Sequence, residues 1–121
     1  MGAQSFMDFD VWKVTYSVTM LVWDELERFP AKEFRLADQM RRAALSIGLN
    51  IAEGFGRRSP RDKLHFYTMS FGSTEELKHA LLVANGRKYL KNFAVLWKEV
   101  ESISRMLRGL INSFGLGRPD A

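Results

Sequence analysis

The sequence predicts an all-α protein, an antiparallel up-down-up-down four-helix bundle that forms a single domain over residues 1–121. Four segments carry apolar residues at alternating steps of three and four, which is the period of an amphipathic helix. Short breaks containing proline or glycine separate these segments, and no segment shows the sustained alternation of a strand. The predicted helices cover about residues 8–28, 31–54, 59–85 and 92–113, and their similar lengths favour antiparallel neighbours.

The first predicted helix has an aromatic-rich stripe. Its members are Phe9, Trp12, Tyr16, Thr19, Trp23 and Leu26. Other apolar residues widen this surface, namely Val14, Val18, Met20, Leu21 and Val22. A helix that is apolar on more than one side usually contacts more than one partner, so the pattern indicates self-association. The ring of Pro30 disfavours helical geometry at Phe29 and ends the helix.

The second predicted helix combines an apolar stripe with an internal glycine. The stripe consists of Leu36, Met40, Ala43, Ile47 and Ile51. Gly48 costs about 1 kcal/mol relative to alanine in a helix interior, so we expect another backbone to approach closely there. Gly54 and Gly56 tolerate left-handed conformations and predict the helix end.

The third and fourth predicted helices have clear start signals. Ser59 is a good N-cap, Pro60 suits the first helical position, and Asn92 is the predicted N-cap of the fourth helix. The third stripe is Phe66, Ser70, Ser73, Leu77, Leu81 and Ala84, and it stops at Asn85-Gly86. The fourth stripe is Phe93, Leu96, Val100, Ile103, Leu107, Leu110 and Phe114. Its unbroken heptad period predicts packing at about 20° between helices. Residues 115–121 are predicted to be disordered.

Composition restricts the class of protein. Hydrophobic residues make up 46% of the chain and charged residues 26%, as in ordinary globular proteins. The sequence has 0 cysteines, which excludes disulfides, thiolate metal sites and a cysteine nucleophile. The apolar runs are far shorter than the roughly 20 residues of a membrane span, and the N-terminus does not resemble a signal peptide. We therefore expect a cytoplasmic protein with no membrane partner.

The net charge of +4 is compatible with nucleic-acid binding without requiring it. The strongest cluster spans residues 57–63, at the start of the third helix, where free N–H groups also favour anions. A solvated turn is the competing interpretation. Eight basic residues are the predicted phosphate contacts: Arg41, Arg42, Arg57, Arg58, Arg61, Lys63, Arg87 and Lys88.

These basic residues do not form one patch in the predicted fold. The first and third connections share one end of such a bundle, and the second connection lies at the other end. The Arg57 cluster in the second connection and the Arg87 cluster in the third should therefore lie at opposite ends. Tyr89, beside the second cluster, could stack on a base or anchor its turn. Arg41 and Arg42 point about 100° apart, and Arg42 is placed for a salt bridge with Asp38 in the preceding turn.

Asn50 and Glu53 are polar residues near the apolar stripe of the second helix. They predict either a structural polar lock, in which both side chains tie the helix to a neighbour, or a polar pocket. We favour the lock.

Catalysis has little support in the sequence. His65 and His79 are too far apart along one helix to share a metal ion, and no nucleophile motif, phosphate-binding loop or HExxH motif occurs. An enzyme would depend on Asn50 and Glu53 alone. We expect a protein that is not an enzyme and that needs no metal or cofactor.

The motif Gln39-Met40-Arg41-Arg42-Ala43, followed by Ser46-Ile47 and Asn50-Ile51-Ala52-Glu53-Gly54, resembles a bacterial family. This is the four-helix-bundle family of proteins encoded in intervening sequences of 23S rRNA genes. The stretch from Gly72 to Leu77 and the pair Tyr89-Leu90 are also similar to that family, and the resemblance extends from about Phe9 to Leu110.

The resemblance implies a homo-oligomeric ring, typically a pentamer. The chain is also similar to the accessory variability proteins of diversity-generating retroelements, which bind nucleic acid and a reverse transcriptase. Two functions therefore stay open. One is an oligomeric accessory protein that binds RNA or DNA, with a reverse transcriptase as a further partner; the other is a protein-binding scaffold without nucleic acid.

Overall fold

The computed structural model describes residues 2–115 and contains, within that range, four α-helices and no strand. The helices are α1 (Asp10–Leu26), α2 (Phe34–Gly56), α3 (Pro60–Gly86) and α4 (Phe93–Asn112). Short 3-10 helices at Phe6–Asp8 and Ala31–Glu33 precede α1 and α2, so α2 begins three residues later than predicted. Most of the tail predicted to be disordered, residues 116–121, lies outside the described residues.

The four helices form a closed square. Helix α1 packs against α2 and α4, and α3 packs against the same two helices. Phe9 at the start of α1 contacts Phe55 near the end of α2, while Glu25 near the end of α1 bonds to Asn92 at the start of α4. Neighbouring helices therefore run antiparallel, and the predicted all-α four-helix fold is confirmed.

The core follows the predicted stripes closely in α4 and α2. Leu96, Val100, Ile103 and Leu107 of α4 are all fully buried, because a single heptad stripe leaves one choice of inward face. In α2 the buried residues are Ala37, Met40, Ala43, Ala44, Ile47, Ile51 and Gly54.

The predicted stripe of α1 is wrong in phase. The buried residues of this helix are Val11, Thr15, Val18, Val22, Glu25 and Leu26. Tyr16 of the predicted stripe is instead 54% exposed, and Trp12, Thr19 and Trp23 are only partly buried. Small β-branched residues fit the narrow interior, and the large aromatic rings lie along its edge.

The displaced aromatic stripe borders a surface that we call the α1–α2 groove. It is lined by Phe6, Trp12, Tyr16, Leu45, Gly48 and Leu49. Its volume is about 310 Å³, and among its lining residues Leu45 and Leu49 are 48% and 60% exposed. The broad apolar surface of α1 that the sequence predicted is therefore present and open.

Gly54 is not the helix-ending residue that the sequence predicted. Helix α2 continues to Gly56, and Gly54 is buried within it. A Cβ atom at Gly54 would lie 2.6 Å from Cε1 of Tyr67, which is closer than real Cβ contacts. The glycine thus allows the buried Tyr67 ring of α3 to pack directly on the α2 backbone.

The end of α3 also differs from the prediction. The helix includes Gly86, and the left-handed residue is Lys88, with φ of 65°. Lys88 N–H donates to the carbonyl of Asn85 and Tyr89 N–H to that of Ala84, which is the Schellman pattern. A lysine here carries the strain that glycine usually avoids.

Candidate nucleic-acid interface

The start of α3 presents the basic cluster predicted from residues 57–63. Ser59 caps the helix by accepting the N–H of Asp62 at 3.0 Å, and Pro60 occupies the first turn. These residues fix the direction in which the chain leaves the α2–α3 turn. The predicted helix start is therefore confirmed, and the arginines on either side of it have defined positions.

Arg57 is held in place by two neighbours. Its guanidinium lies 2.8 Å from the carboxylate of Glu53 and 4.7 Å from the ring centroid of Phe66. The side chain is still 43% exposed. An arginine positioned in this way keeps several donors free for an anion, although Glu53 offsets part of its charge.

Lys63 points towards the protein rather than outward. Its ammonium donates to the carbonyls of Phe55 at 2.8 Å and Gly54 at 3.3 Å, and so caps the last turn of α2. This cation compensates the negative end of the α2 dipole. Its charge is already used within the subunit, so Lys63 is the least available of the four basic residues predicted in this cluster.

Arg58 and Arg61 are the most available cations of the cluster. Both are exposed, and within residues 2–115 neither forms an ion pair. They flank the α3 N-terminus, whose helix dipole adds a partial positive charge. At this end of the bundle, the residues placed to attract an anion are therefore Arg57, Arg58 and Arg61.

The two predicted arginines of α2 face different environments. Arg42 forms the expected salt bridge with Asp38, at 2.8 Å. Arg41 lies over the ring of Trp23, 5.8 Å from its centroid. Neither adjoins the basic cluster at the α3 N-terminus.

Arg87 and Lys88 lie at the other end of the bundle, as the topology predicted. Both are exposed in the α3–α4 connection. Tyr89 is partly buried there, donates its hydroxyl to Glu33 and packs on Phe29 at 5.4 Å between centroids. Tyr89 therefore ties the first and third connections together, which favours its structural interpretation over base stacking.

The predicted polar lock is made by Ser46, because Asn50 bonds within α2 to Ser46 and it is Ser46, rather than Asn50 or Glu53, that contacts α3. Asn50 Nδ2 donates to the carbonyl of Ser46 at 2.9 Å and to its hydroxyl at 3.0 Å. The Ser46 hydroxyl lies 2.8 Å from that of Ser73 on α3. Glu53 belongs to a different surface, because its side chain is 52% exposed and bonds to Arg57.

Helix α3 forms a second hydrogen bond to α2. The Ser70 hydroxyl donates to the carbonyl of Ile47 at 2.8 Å. The small side chains of Ser70 and Ser73 let α3 approach α2 closely enough to form these bonds. The polar side chains between α2 and α3 are thus used in structural hydrogen bonds rather than in lining a polar pocket.

Glu25 is a buried carboxylate that the sequence prediction missed. It is 1% exposed and accepts the N–H groups of Asn92 and Lys91 at 2.7 and 2.9 Å. Glu25 thereby caps α4 in place of Asn92, whose own side chain makes no capping bond. The available signal was its place in the series 11, 15, 18, 22 and 25, which is the heptad stripe that α1 buries.

A second charged group joins α3 to α4. The ammonium of Lys78 lies 2.6 Å from Glu101 and 3.1 Å from Glu75, under the ring of Trp97. Burial acts to lower the pKa of Lys78, but the two carboxylates raise it overall, and Lys78 lowers the pKa of Glu101. This cation is committed to the subunit and is not available to a ligand.

Within residues 2–115, no group of three or more histidines, cysteines, aspartates and glutamates is arranged to hold a metal ion. In the same part of the chain, no helix is long and apolar enough to cross a membrane.

The fold and surface define a class of protein: a four-helix bundle of alternating topology with a basic end and an apolar side groove. The chain matches the family model described as 23S rRNA-intervening sequence protein over residues 7–109. It belongs to that family. No curated protein matches this sequence.

A solved structure has the same fold. The crystal structure of a protein of unknown function from the S23 ribosomal protein family of Bacteroides thetaiotaomicron is similar, with a TM-score of 0.78 and 19% sequence identity. The alignment covers 84% of this chain and 97% of that chain. At this identity the likeness establishes the fold alone.

Proposed function

We propose that this protein is a homo-oligomeric accessory protein, not an enzyme, that binds RNA or DNA through the basic end at the start of α3. The observation that carries the proposal is the pair Arg58 and Arg61, exposed beside a helix N-terminus and without ion pairs in residues 2–115. Arg57, oriented by Glu53 and Phe66, extends the same surface.

Oligomerisation gives this small patch its strength. Three arginines on one subunit make few phosphate contacts, and such contacts are weak at physiological salt. In a ring, each subunit repeats the patch, and a long polyanion engages several copies at once with a large gain in avidity. Arg87 and Lys88, at the opposite end, would form a separate second ring of charge.

The resemblance to accessory variability proteins extends the proposal. The assembly is then a homopentamer, and its physiological partner is the reverse transcriptase of a diversity-generating retroelement. A reverse-transcriptase gene with repeats beside the gene for this chain would support that extension. A position inside a 23S rRNA gene would support the intervening-sequence origin instead.

The test is RNA binding by fluorescence anisotropy across a salt series. The double variant Arg58→Ala, Arg61→Ala should bind at least about tenfold more weakly and have a shallower salt dependence, because phosphate contacts are lost. The matched control is Lys98→Ala, Arg105→Ala, which removes the same charge from exposed positions on α4. Equal losses in the two double variants would place binding in overall charge rather than at the α3 N-terminus.

A second candidate function is a protein-binding scaffold without nucleic-acid contact. The exposed apolar α1–α2 groove favours it, because contiguous apolar surface commonly marks a protein interaction site. The test is whether another protein co-purifies with the chain and stays bound after nuclease treatment. Wild-type protein that binds such a partner but has no affinity for RNA or DNA would establish this alternative.

A further inference from the structure

We propose that the nucleic acid bound at the basic end is single-stranded and lies along the surface where the first turns of α3 meet the last turns of α4. Its phosphates contact Arg61 and Arg108, and one base packs against Leu64. This inference rests on the proposed function and adds to it a binding residue, Arg108, and a class of nucleic acid. Two features carry it: an arginine of α4 that lies over a ring of α3, and an apolar concavity beside Arg61.

Arg108 is an exposed basic residue of α4, distant in sequence from the cluster at residues 57–63. Its guanidinium lies 5.3 Å from the ring centroid of Phe71 on α3. Within residues 2–115 it forms no ion pair, so its charge is available to a phosphate. The contact with the ring restricts the positions of the guanidinium, which lowers the entropy lost on binding.

The helix period places Arg108 and Leu64 on the same surface. Leu64 precedes Phe71 by seven residues, or two turns, so both side chains lie on one side of α3. The rings of Tyr67 and Phe114 are 6.0 Å apart between centroids, so α4 ends beside this part of α3. Two turns span about 10 Å along the axis, which corresponds to about three nucleotides at about 3.4 Å each.

A concavity lies beside Arg61 at the start of α3. It has a volume of about 580 Å³ and is lined by Ser59, Pro60, Arg61 and Leu64. Pro60 and Leu64 supply apolar surface, and Arg61 supplies a cation. A nucleotide combines a base with apolar faces and a charged phosphate, so its chemistry matches this pairing of apolar surface and arginine.

The charge of this surface favours a polyanion. Residues 104–115, at the end of α4, contain no acidic side chain. Within residues 57–74 the one acid is Asp62. It lies one turn before Phe66, whose Cβ would be 3.2 Å from a Cβ at Gly54, and so belongs to the side of α3 that packs on α2. The path between the two arginines is therefore positively charged.

A duplex cannot use both features of this surface. Its bases are paired and stacked in its interior, so it offers phosphates to the arginines but no base face to Leu64. A single strand has bases that can leave the stack and pack on a protein surface while its phosphates contact arginine. The concavity therefore favours a single strand.

The first experiment compares three probes by fluorescence anisotropy with the full chain: a single-stranded RNA, a single-stranded DNA of the same sequence, and a duplex of equal length. Both single strands should bind at least about threefold more tightly than the duplex, because only they place a base on the protein. Either order of RNA and DNA supports the inference and identifies the preferred strand. A duplex that binds equally or more tightly overturns the inference and leaves the proposed function intact, whereas no binding of any probe at low salt overturns both.

Arg108→Ala tests the path along α4. It should weaken single-strand binding at least about threefold and reduce the salt slope by about 0.7, as expected for one lost phosphate contact. The matched control is Arg35→Ala, because Arg35 also lies over a phenylalanine ring, 5.7 Å from the centroid of Phe34, but at the opposite end of the bundle. Equal affinities of the two variants would overturn the assignment of Arg108.

Two substitutions at Leu64 test the base contact. Leu64→Ala should weaken single-strand binding, and Leu64→Trp should strengthen it at least about threefold because the indole offers a larger stacking surface. Duplex binding should be unchanged in both. A gain of affinity cannot result from misfolding, and circular dichroism checks the helix content of each variant. Single-strand affinities that match the wild type in both variants would overturn the base contact.

A gain by Leu64→Trp that is equally large for the duplex would overturn it as well.

Discussion

The carboxylate of Glu25, near the end of α1, accepts the backbone N–H of Asn92 at the start of α4 at 2.7 Å. The same side chain accepts the N–H of Lys91 and the guanidinium of Arg28, each at 2.9 Å. One buried acid thus caps a helix that follows it by more than sixty residues in the chain. It closes the α1–α4 edge of the bundle.

Glu25→Ala should lower the free energy of unfolding by about 3 kcal/mol, because two partly buried backbone N–H groups and the guanidinium of Arg28 lose their acceptor. Glu25→Gln keeps one acceptor oxygen and should cost less. The measurement is urea denaturation at fixed protein concentration. Glu27→Ala, at an exposed position nearby, is the control and should change stability by less than about 0.5 kcal/mol. A similarly small effect of Glu25→Ala would contradict the capping role.

Lowering the pH should remove part of the stabilisation that Glu25 provides. Burial acts to raise the pKa of Glu25, but the N–H groups of Lys91 and Asn92 and the charge of Arg28 lower it overall, below 4.5. A group with a depressed folded-state pKa stabilises the protein above its unfolded pKa and loses that contribution as pH falls through the folded pKa. Stability should therefore decline below about pH 4.5 more steeply in the wild type than in Glu25→Gln. Parallel pH profiles of unfolding would refute this.

Gly54→Ala should destabilise the protein by about 1–3 kcal/mol, because the new methyl group collides with the ring of Tyr67. Gly109→Ala is the matched control, since Gly109 lies within α4 with nothing within 4 Å of its Cβ position. The control should gain up to about 1 kcal/mol from helix propensity. Thermal unfolding of the two variants should thus shift in opposite directions, and a shift in the same direction would count against the Gly54–Tyr67 packing.

Lys88→Gly should stabilise the protein by about 0.5–1 kcal/mol, because glycine adopts the left-handed conformation without the steric cost of a side chain. Lys88→Ala removes the same charge but keeps the Cβ atom, so it should show no such gain. Chemical denaturation of the three proteins distinguishes the two causes. Equal stability of the glycine and alanine variants would mean that the strain at Lys88 is negligible.

The sequence was sufficient for the number, order and approximate bounds of the helices, because helical period and end signals are local. It was also sufficient for α4, whose single heptad stripe allows one inward face. It failed for α1, where two interleaved series compete. The aromatic series containing Trp12 and Tyr16 has greater apolar area, but the series containing Val18 and Glu25 fits the interior of the bundle.

The candidate site was predictable in location and less so in detail. Charge pattern and the Ser59-Pro60 start placed basic residues at one end of the bundle. Pattern alone could not reveal that Lys63 is bound to the carbonyls of α2 while Arg58 and Arg61 stay exposed, because that depends on how the α2 end packs on α3. Gly54 was misassigned for the same reason. Glycine is required there because the ring of Tyr67, which is distant in sequence, packs on the backbone.

The most direct test of the central claim is the salt dependence of RNA binding by the purified oligomer, with its mass measured in the same solution. An assembly larger than one subunit should bind RNA with an affinity that falls steeply with salt and falls again when Arg58 and Arg61 are replaced. A single subunit at micromolar concentration that does not bind polyanions at low salt would contradict it.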